Sequence, residues 1–258
     1  MPGFFALELD NVTGHQSSGA HRAGHSEHQA RARCFTWNIF YHSKRVRLTI
    51  AIRGSRGFPD GGPQGECSVK KLVILDRDGV INEDSDAYIK SVEEWHPYPT
   101  AFSAIARLGA AGWTVAVATN QSGVGRGYYS EDTLAVIHES MRERARLAGG
   151  EIARILHCPH RPEVGCECRK PGPGMLLQLQ RELDMPSLGE SWMVGDSLRD
   201  IQAGIAAGCH TALVETGKGQ RYIDQVRSAF PSTWICRDLD DFVTRLIGDQ
   251  ITGDQSQS

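Results

Sequence analysis

Long apolar runs, a strong net charge and evenly paired cysteines are all missing from this chain. No apolar stretch approaches the roughly 18 residues that a membrane-spanning helix needs, so neither a transmembrane segment nor a membrane partner is expected. Net charge is −3 over 258 residues, with an isoelectric point near 6.4, which gives no global case for nucleic acid as a partner. The opening residues, MPGFFALELD, lack a basic start and a long apolar region, so a secretory leader is not expected. The seven cysteines are odd in number: Cys158, Cys166 and Cys168 cluster, while Cys34, Cys67, Cys209 and Cys236 are scattered. That pattern points to reduced thiols and a metal site rather than a disulfide framework, and so to the cytoplasm.

What remains is an ordinary hydrophobic content of 40%, enough for a real core in one large domain or two small ones. Residues 1–68 do not read like the rest. They hold His15, His21, His25 and His28 at irregular spacing, with many Gly and Ser. The Arg47–Ile52 run has strand character, but Gly54–Gly65 is rich in Gly and Pro, and the whole reads as a poorly ordered extension with a solvated histidine tract. No Met stands between Met1 and Met141, and a compact domain would begin at Val69, so residues 1–68 are also open to being an over-extended gene start. Residues 69–248 form the expected domain, with 249–258 as a polar tail.

The stretch Lys71–Asn82, KLVILDRDGVIN, organises that domain. Leu72–Leu75 is a short apolar run of the kind that forms a fully buried strand. Asp76 follows at once, then Asp78 and Gly79. A carboxylate at the end of a buried strand is costly unless a metal or hydrogen bonds compensate it. In parallel α/β sheets that end of the strand is where ligands bind. The plain alternative is a strand followed by an Asp-rich turn.

The pattern recurs along the chain. Thr114–Ala118 reads as a second buried strand, ending in Thr119-Asn120-Gln121-Ser122-Gly123, whose hydroxyls and backbone N–H groups suit a phosphate oxygen. Trp192–Val194 reads as another, followed by Gly195-Asp196-Ser197-Leu198-Arg199-Asp200. Between them, helices are expected over Thr100–Gly112, from an N-cap at Ser130 to about Leu147, from Pro173, and over Leu198–Ala207. Strand Thr211–Val214, strand Trp234–Cys236 and helix Leu239–Ile247 complete the domain.

Cys158-Pro159-His160 and Cys166-Glu167-Cys168 give C-x-H-x5-C-x-C. Three thiolates and an imidazole are a complete tetrahedral set for Zn²⁺, with no position left open, so the ion would be structural and would staple a loop with little core of its own. A nucleic-acid zinc ribbon fits less well, since paired C-x2-C knuckles and a basic surround are absent.

DRDGV, TNQSG, RKP and GDSLRD together resemble the four motifs of the haloacid dehalogenase-like phosphohydrolases. With CPH…CxCRKP and the stretches DSDAYIKS, GYYS and RKPGPGML, they resemble one subfamily, the heptose 1,7-bisphosphate 7-phosphatases, over about residues 70–220. Histidinol-phosphate phosphatases share the catalytic motifs and a similar zinc loop. The resemblance implies a Rossmann-like parallel sheet with helices on both faces and a minimal cap. It implies an Mg²⁺-dependent phosphomonoester hydrolase acting on a sugar phosphate, with a role in lipopolysaccharide core synthesis, expected as a monomer. Asp76 would be the nucleophile, Asp78 the general acid/base, and Thr119 and Lys170 the holders of the phosphoryl group. Asp76, the Asp78 carbonyl and Asp196 would hold Mg²⁺. Asp84, Tyr88, Asn120, Gln121, Ser122, Arg126 and Arg169 are the candidate substrate contacts. A zinc-stabilised binding protein on an inactive phosphatase fold would be favoured only by loss of Asp76, Asp78 or Lys170, and all three are present.

Overall fold

The structure is a computed structural model that describes the backbone of residues 33–41, 44–52 and 70–255 and the side chains of residues 70–248. His15, His21, His25, His28, Val69 and the Gly54–Gly65 segment lie outside the described residues. The chain divides into two units, Met1–Ser68 and Val69–Ser258. In the first, β1 (Arg33–Tyr41) pairs antiparallel with β2 (Lys44–Ile52). β2 takes in the expected Arg47–Ile52 run. β1 goes beyond the sequence expectation: Phe35, Trp37, Ile39 and Tyr41 alternate as a strand requires, within a Gly- and Ser-rich setting that hides the signal.

The second unit is built on β3 (Lys71–Leu75), β4 (Trp113–Asn120), β5 (Arg154–Cys158), β6 (Trp192–Gly195), β7 (His210–Val214) and β8 (Trp234–Cys236). They form one sheet in the order β5-β4-β3-β6-β7-β8, parallel at every pairing. In β3 the side chains alternate: Val73 and Leu75 join one core, Leu72 and Ile74 the other. The first core is closed by α1 (Ala101–Ala110), by α3 (Glu131–Leu147, after the short α2, Ser122–Gly125) and by α7 (Leu239–Gln255). The second is closed by α4 (Gly174–Glu182) and α5 (Leu198–Ala207), with α6 (Ile223–Ala229) contributing Val226 beside Ile201 and Leu213. Both faces are therefore covered, which is why the strands read as unbroken apolar runs.

Most element boundaries fall within two residues of the sequence expectation. α3 starts as foreseen: the Thr133 N–H donates to Ser130 Oγ at 3.1 Å. β4 runs on through Thr119 and Asn120, because these residues pair with His157 and Cys158 of β5. α7 (Leu239–Gln255) continues past Gly248, where the apolar pattern stops. Among the described residues no helix is long and apolar enough to cross a membrane.

α3 carries a buried histidine outside the cavity described below. His138 is 5% exposed, and its Nε2 has no hydrogen-bond partner among the described residues. Burial first, then the charges of Arg77 and His157, pushes its pKa down to about 3 from 6.5. The unfolded chain takes up this proton below about 6.5 and the folded one does not. Stability from neutral His138 is thus full above that pH and lost as pH falls through the window. His138→Leu should show a shallower acid-side loss than the parent between pH 6.5 and 5, the difference approaching about 1.4 kcal/mol per pH unit. Urea unfolding at stepped pH measures it, and parallel profiles would exclude His138 as the titrating group.

Candidate active site

Parallel strands deliver their ends to one edge, and the polar residues collect there. Asp76 follows β3, Thr119 and Asn120 close β4, Asp196 follows β6, and Lys170 comes from the loop after β5. All of these line one cavity of about 360 Å³, with Asp78, Gln121, Ser122, Asp84, Tyr88, Arg126 and Arg169 also in its wall. Every expected catalytic and substrate-binding residue is thereby brought to a single place. One carboxylate oxygen from each of Asp76, Asp196 and Asp200 lies within 4.8 Å of the others.

Lys170 sits among these carboxylates and is 1% exposed. Its ammonium reaches Asp76 Oδ1 at 3.0 Å and Asp200 Oδ1 at 2.6 Å, and donates to the Ala118 carbonyl at 2.7 Å. The ammonium thus stands between two carboxylates and one carbonyl. The Lys170 backbone is held by Asn120, whose Nδ2 donates to its carbonyl at 3.0 Å and whose Oδ1 accepts from its N–H at 3.1 Å. Burial opposes the charge, but Asp200 and Asp76 outweigh it and raise the Lys170 pKa. Asp200 is itself fixed: Oδ2 accepts from the N–H and Oγ of Ser197, which caps α5.

Positive charge is short on the other side of the cluster. Burial, then the charges of Asp200 and Asp76, pushes the Asp196 carboxyl up to about 8. Burial likewise raises Asp76, with Lys170 pulling the other way. The Asp196 carboxylate lies against Gly79 and Gly217, where a Cβ would collide with Oδ2. Both glycines have positive φ, +81° and +58°. Thr216 Oγ1 donates to the Gly79 carbonyl at 2.6 Å, and the Lys218 N–H donates to Asp196 Oδ2 at 2.8 Å.

Asp78 has a different environment. Arg77, 1% exposed, grips it with two bonds, Nε to Oδ1 at 2.9 Å and an Nη to Oδ2 at 3.0 Å. Asn82 and Gln121 donate to the same carboxylate, each at 2.9 Å. Burial alone would raise its pKa, but Arg77 and these hydrogen bonds hold it below the usual value. Gln121 also donates to Thr119 Oγ1 at 2.9 Å and accepts from Tyr129 at 2.7 Å.

At the end of β5, four donor atoms crowd together outside the cavity. Cys158 Sγ lies 3.5 Å from Cys166 Sγ and 3.3 Å from Cys168 Sγ, Cys166 and Cys168 are 3.4 Å apart, and His160 Nδ1 is 3.6 Å from Cys158 and 3.3 Å from Cys168. Tetrahedral Zn–S bonds of about 2.3 Å imply vertices roughly 3.8 Å apart, so the set is arranged as one polyhedron. His157 is not in the cluster; its Nε2 lies 2.8 Å from Glu131.

Sequence reasoning passed over several residues. Arg77 sits between the two aspartates and looks like a turn residue, yet it is buried against Asp78. Asp200, expected either to support the metal site from behind or to be a plain helix residue, closes the cap of α5 and also pairs with Lys170. Lys218 reads in sequence as a solvated loop lysine or a substrate contact; it lines the cavity, and its ammonium pairs with Asp84 at 2.7 Å and Asp86 at 3.1 Å. Arg199 also lines the cavity.

Lys170→Met would strip the counter-charge from two carboxylates. It should cost about 3–5 kcal/mol in urea unfolding near neutral pH. A loss under about 1 kcal/mol would mean the ion pairs contribute little.

A family model described as HAD-hydrolase-like matches residues 167–242. A D-glycero-beta-D-manno-heptose-1,7-bisphosphate 7-phosphatase of Pseudomonas putida is 54% identical over 155 residues, covering 60% of this chain and 88% of that protein. The same enzyme of Bordetella bronchiseptica is 49% identical over 170 residues, covering 66% and 93%. Among solved structures, the D,D-heptose 1,7-bisphosphate phosphatase of B. bronchiseptica, complexed with magnesium and phosphate, superposes with a TM-score of 0.67 at 46% identity, covering 69% of this chain and 99% of that one. The corresponding protein of Burkholderia thailandensis gives 0.54 at 38% identity, covering 69% and 99%. With most of each relative's length matched at such identity, this chain belongs to the D-glycero-beta-D-manno-heptose-1,7-bisphosphate 7-phosphatase family of HAD-like hydrolases.

Proposed function

We propose that the chain is an Mg²⁺-dependent phosphomonoester hydrolase that removes the 7-phosphate of D-glycero-beta-D-manno-heptose 1,7-bisphosphate, in the making of activated heptose for the lipopolysaccharide core. The observation that carries this is the meeting of Asp76, Asp196 and Lys170 in one cavity with Thr119. The donor set suits a hard cation: carboxylates from separate strand ends, one of them held near pKa 8 for want of positive charge. Asp76, the Asp78 carbonyl and Asp196 would hold Mg²⁺, which when bound neutralises the phosphate and Asp76 so that one anion can approach the other.

The protein groups then divide the work. Asp76 attacks phosphorus and becomes an aspartyl-phosphate, which water hydrolyses. Thr119 Oγ1 accepts from Gln121, so its own hydrogen is directed to a phosphate oxygen. Lys170 aims Asp76 beforehand; once Asp76 is esterified it is a weaker acceptor, and the ammonium transfers that bond to the phosphoryl group. Asp78 is ionised in the resting site. The incoming phosphate dianion raises its proton affinity, so Asp78 takes up a proton from solvent as substrate binds, gives it to the leaving oxygen, and later takes one from the attacking water. Asn120 keeps Lys170 in register through its paired amide bonds. Arg126 and Arg169 lie in the wall facing the rest of an anionic substrate.

The C-x-H-x5-C-x-C cluster fits Zn²⁺ in number, type and spacing of donors. Cys168 immediately precedes Arg169-Lys170, so this clasp would hold the loop that carries the lysine.

Phosphate release from a panel including heptose 1,7-bisphosphate and histidinol phosphate, with and without Mg²⁺, tests the assignment. The heptose substrate should dominate and require the ion, whereas preference for histidinol phosphate would overturn it. Asp76→Asn should lose at least about 1000-fold in kcat with its melting transition retained. Cys168→Ser should yield less than stoichiometric zinc by metal analysis and a lower melting temperature; an unchanged zinc content would remove Cys168 from the ligand set.

A further inference from the structure

The loop from Glu83 to His96 crosses the mouth of the cavity without regular structure. Its base is stapled by backbone bonds, Glu83 N–H to the His96 carbonyl at 2.9 Å and Tyr98 N–H to the Ile81 carbonyl at 3.0 Å. Its far limb is tied within itself: Lys90 bonds the Ala87 and Tyr88 carbonyls and pairs with Glu94. The tip, Asp84–Tyr88, is joined to other parts of the chain by Lys218 and by Tyr128, whose ring meets Tyr88 edge-on at 5.0 Å.

We propose that Lys218 is a positioning residue for the substrate loop: its ammonium clasps Asp84 and Asp86 while the amide of the same residue holds Asp196. One residue thereby sets the distance between the loop over the cavity and the acidic cluster at its floor. The Asp84 bond is the stronger half, with the Lys218 and Asp84 side chains 28% and 19% exposed, whereas Asp86 is 81% exposed. Both Asp84 oxygens are engaged within the protein, Oδ1 accepting from the Ser85 N–H at 2.8 Å and Oδ2 on Lys218. Asp84 serves the site by fixing the loop. The neighbouring Thr216 bond to the Gly79 carbonyl ties the same segment to the turn after Asp78, so the lysine projects from a fixed base. The inference rests on the reading of the cavity as a phosphatase site.

The test uses the full chain with Lys218→Met, Lys218→Arg, Asp84→Asn and the Lys218→Met/Asp84→Asn double variant. Hydrogen exchange of the substrate-free protein comes first. Lys218→Met should speed exchange at Ala87 and Tyr88, with β3 and β6 amides unchanged, and Lys218→Arg should restore protection. Turnover of heptose bisphosphate should then show KM raised about 10-fold with kcat within about 2-fold, as for loss of one charged hydrogen bond. The double variant should be no worse than Lys218→Met alone, because both changes break one contact. Unaltered loop exchange, or single-variant effects that multiply in the double, would overturn the clasp. If the parent fails to hydrolyse the sugar phosphate, the functional reading falls, while the exchange comparison still decides whether Lys218 orders the loop.

Discussion

The buried ammonium of Lys170 is the charge on which the rest depends. Three acidic side chains converge at the sheet edge, and bringing ionised groups out of water is expensive unless opposite charge meets them. Lys170 meets Asp76 and Asp200 but leaves Asp196 in excess. The site is therefore balanced on one side by the protein and left acidic on the other, where a divalent ion is the natural complement. Asn120 and the Ser197–Asp200 cap keep this balance in place.

The two aspartates of DRDG are two residues apart yet have opposite surroundings. Asp76 is raised by burial among carboxylates, and Asp78 is lowered by Arg77, Asn82 and Gln121. The proposed nucleophile, Asp76, thus leans on Lys170 and a bound cation for its charge, whereas the charge of Asp78 is secured by its own partners. Gly79 makes the turn possible, with its bare face pressed on Asp196.

Much of this was legible in the sequence, for identifiable reasons. Buried parallel strands show as apolar runs, and a polar residue just past such a run marks the functional edge, which located Asp76, Thr119 and Asp196. The zinc donors stand close in sequence, so spacing alone found them. Arg77 was hidden because nothing in a single sequence distinguishes a buried charge from a solvated one. Lys218 was hidden because its partners Asp84 and Asp86 are more than a hundred positions away, and one sequence carries no record of such pairings. β1 was masked by the composition around it, and α7 ran on beyond its apolar stripe because backbone bonding continued where side-chain packing did not.

The strand order has a further consequence. β3 and β6 lie in the middle of the sheet, with β5 and β8 at its margins. Transient openings of a folded protein begin at margins and reach the centre only near global unfolding. Asp76 and Asp196 follow these two central strands, whereas Lys170 comes from the loop after the marginal β5. Thermal fluctuation would thus reach the lysine's loop before the aspartates, and a metal clasp on the cysteines would stiffen the margin where the site is most easily loosened.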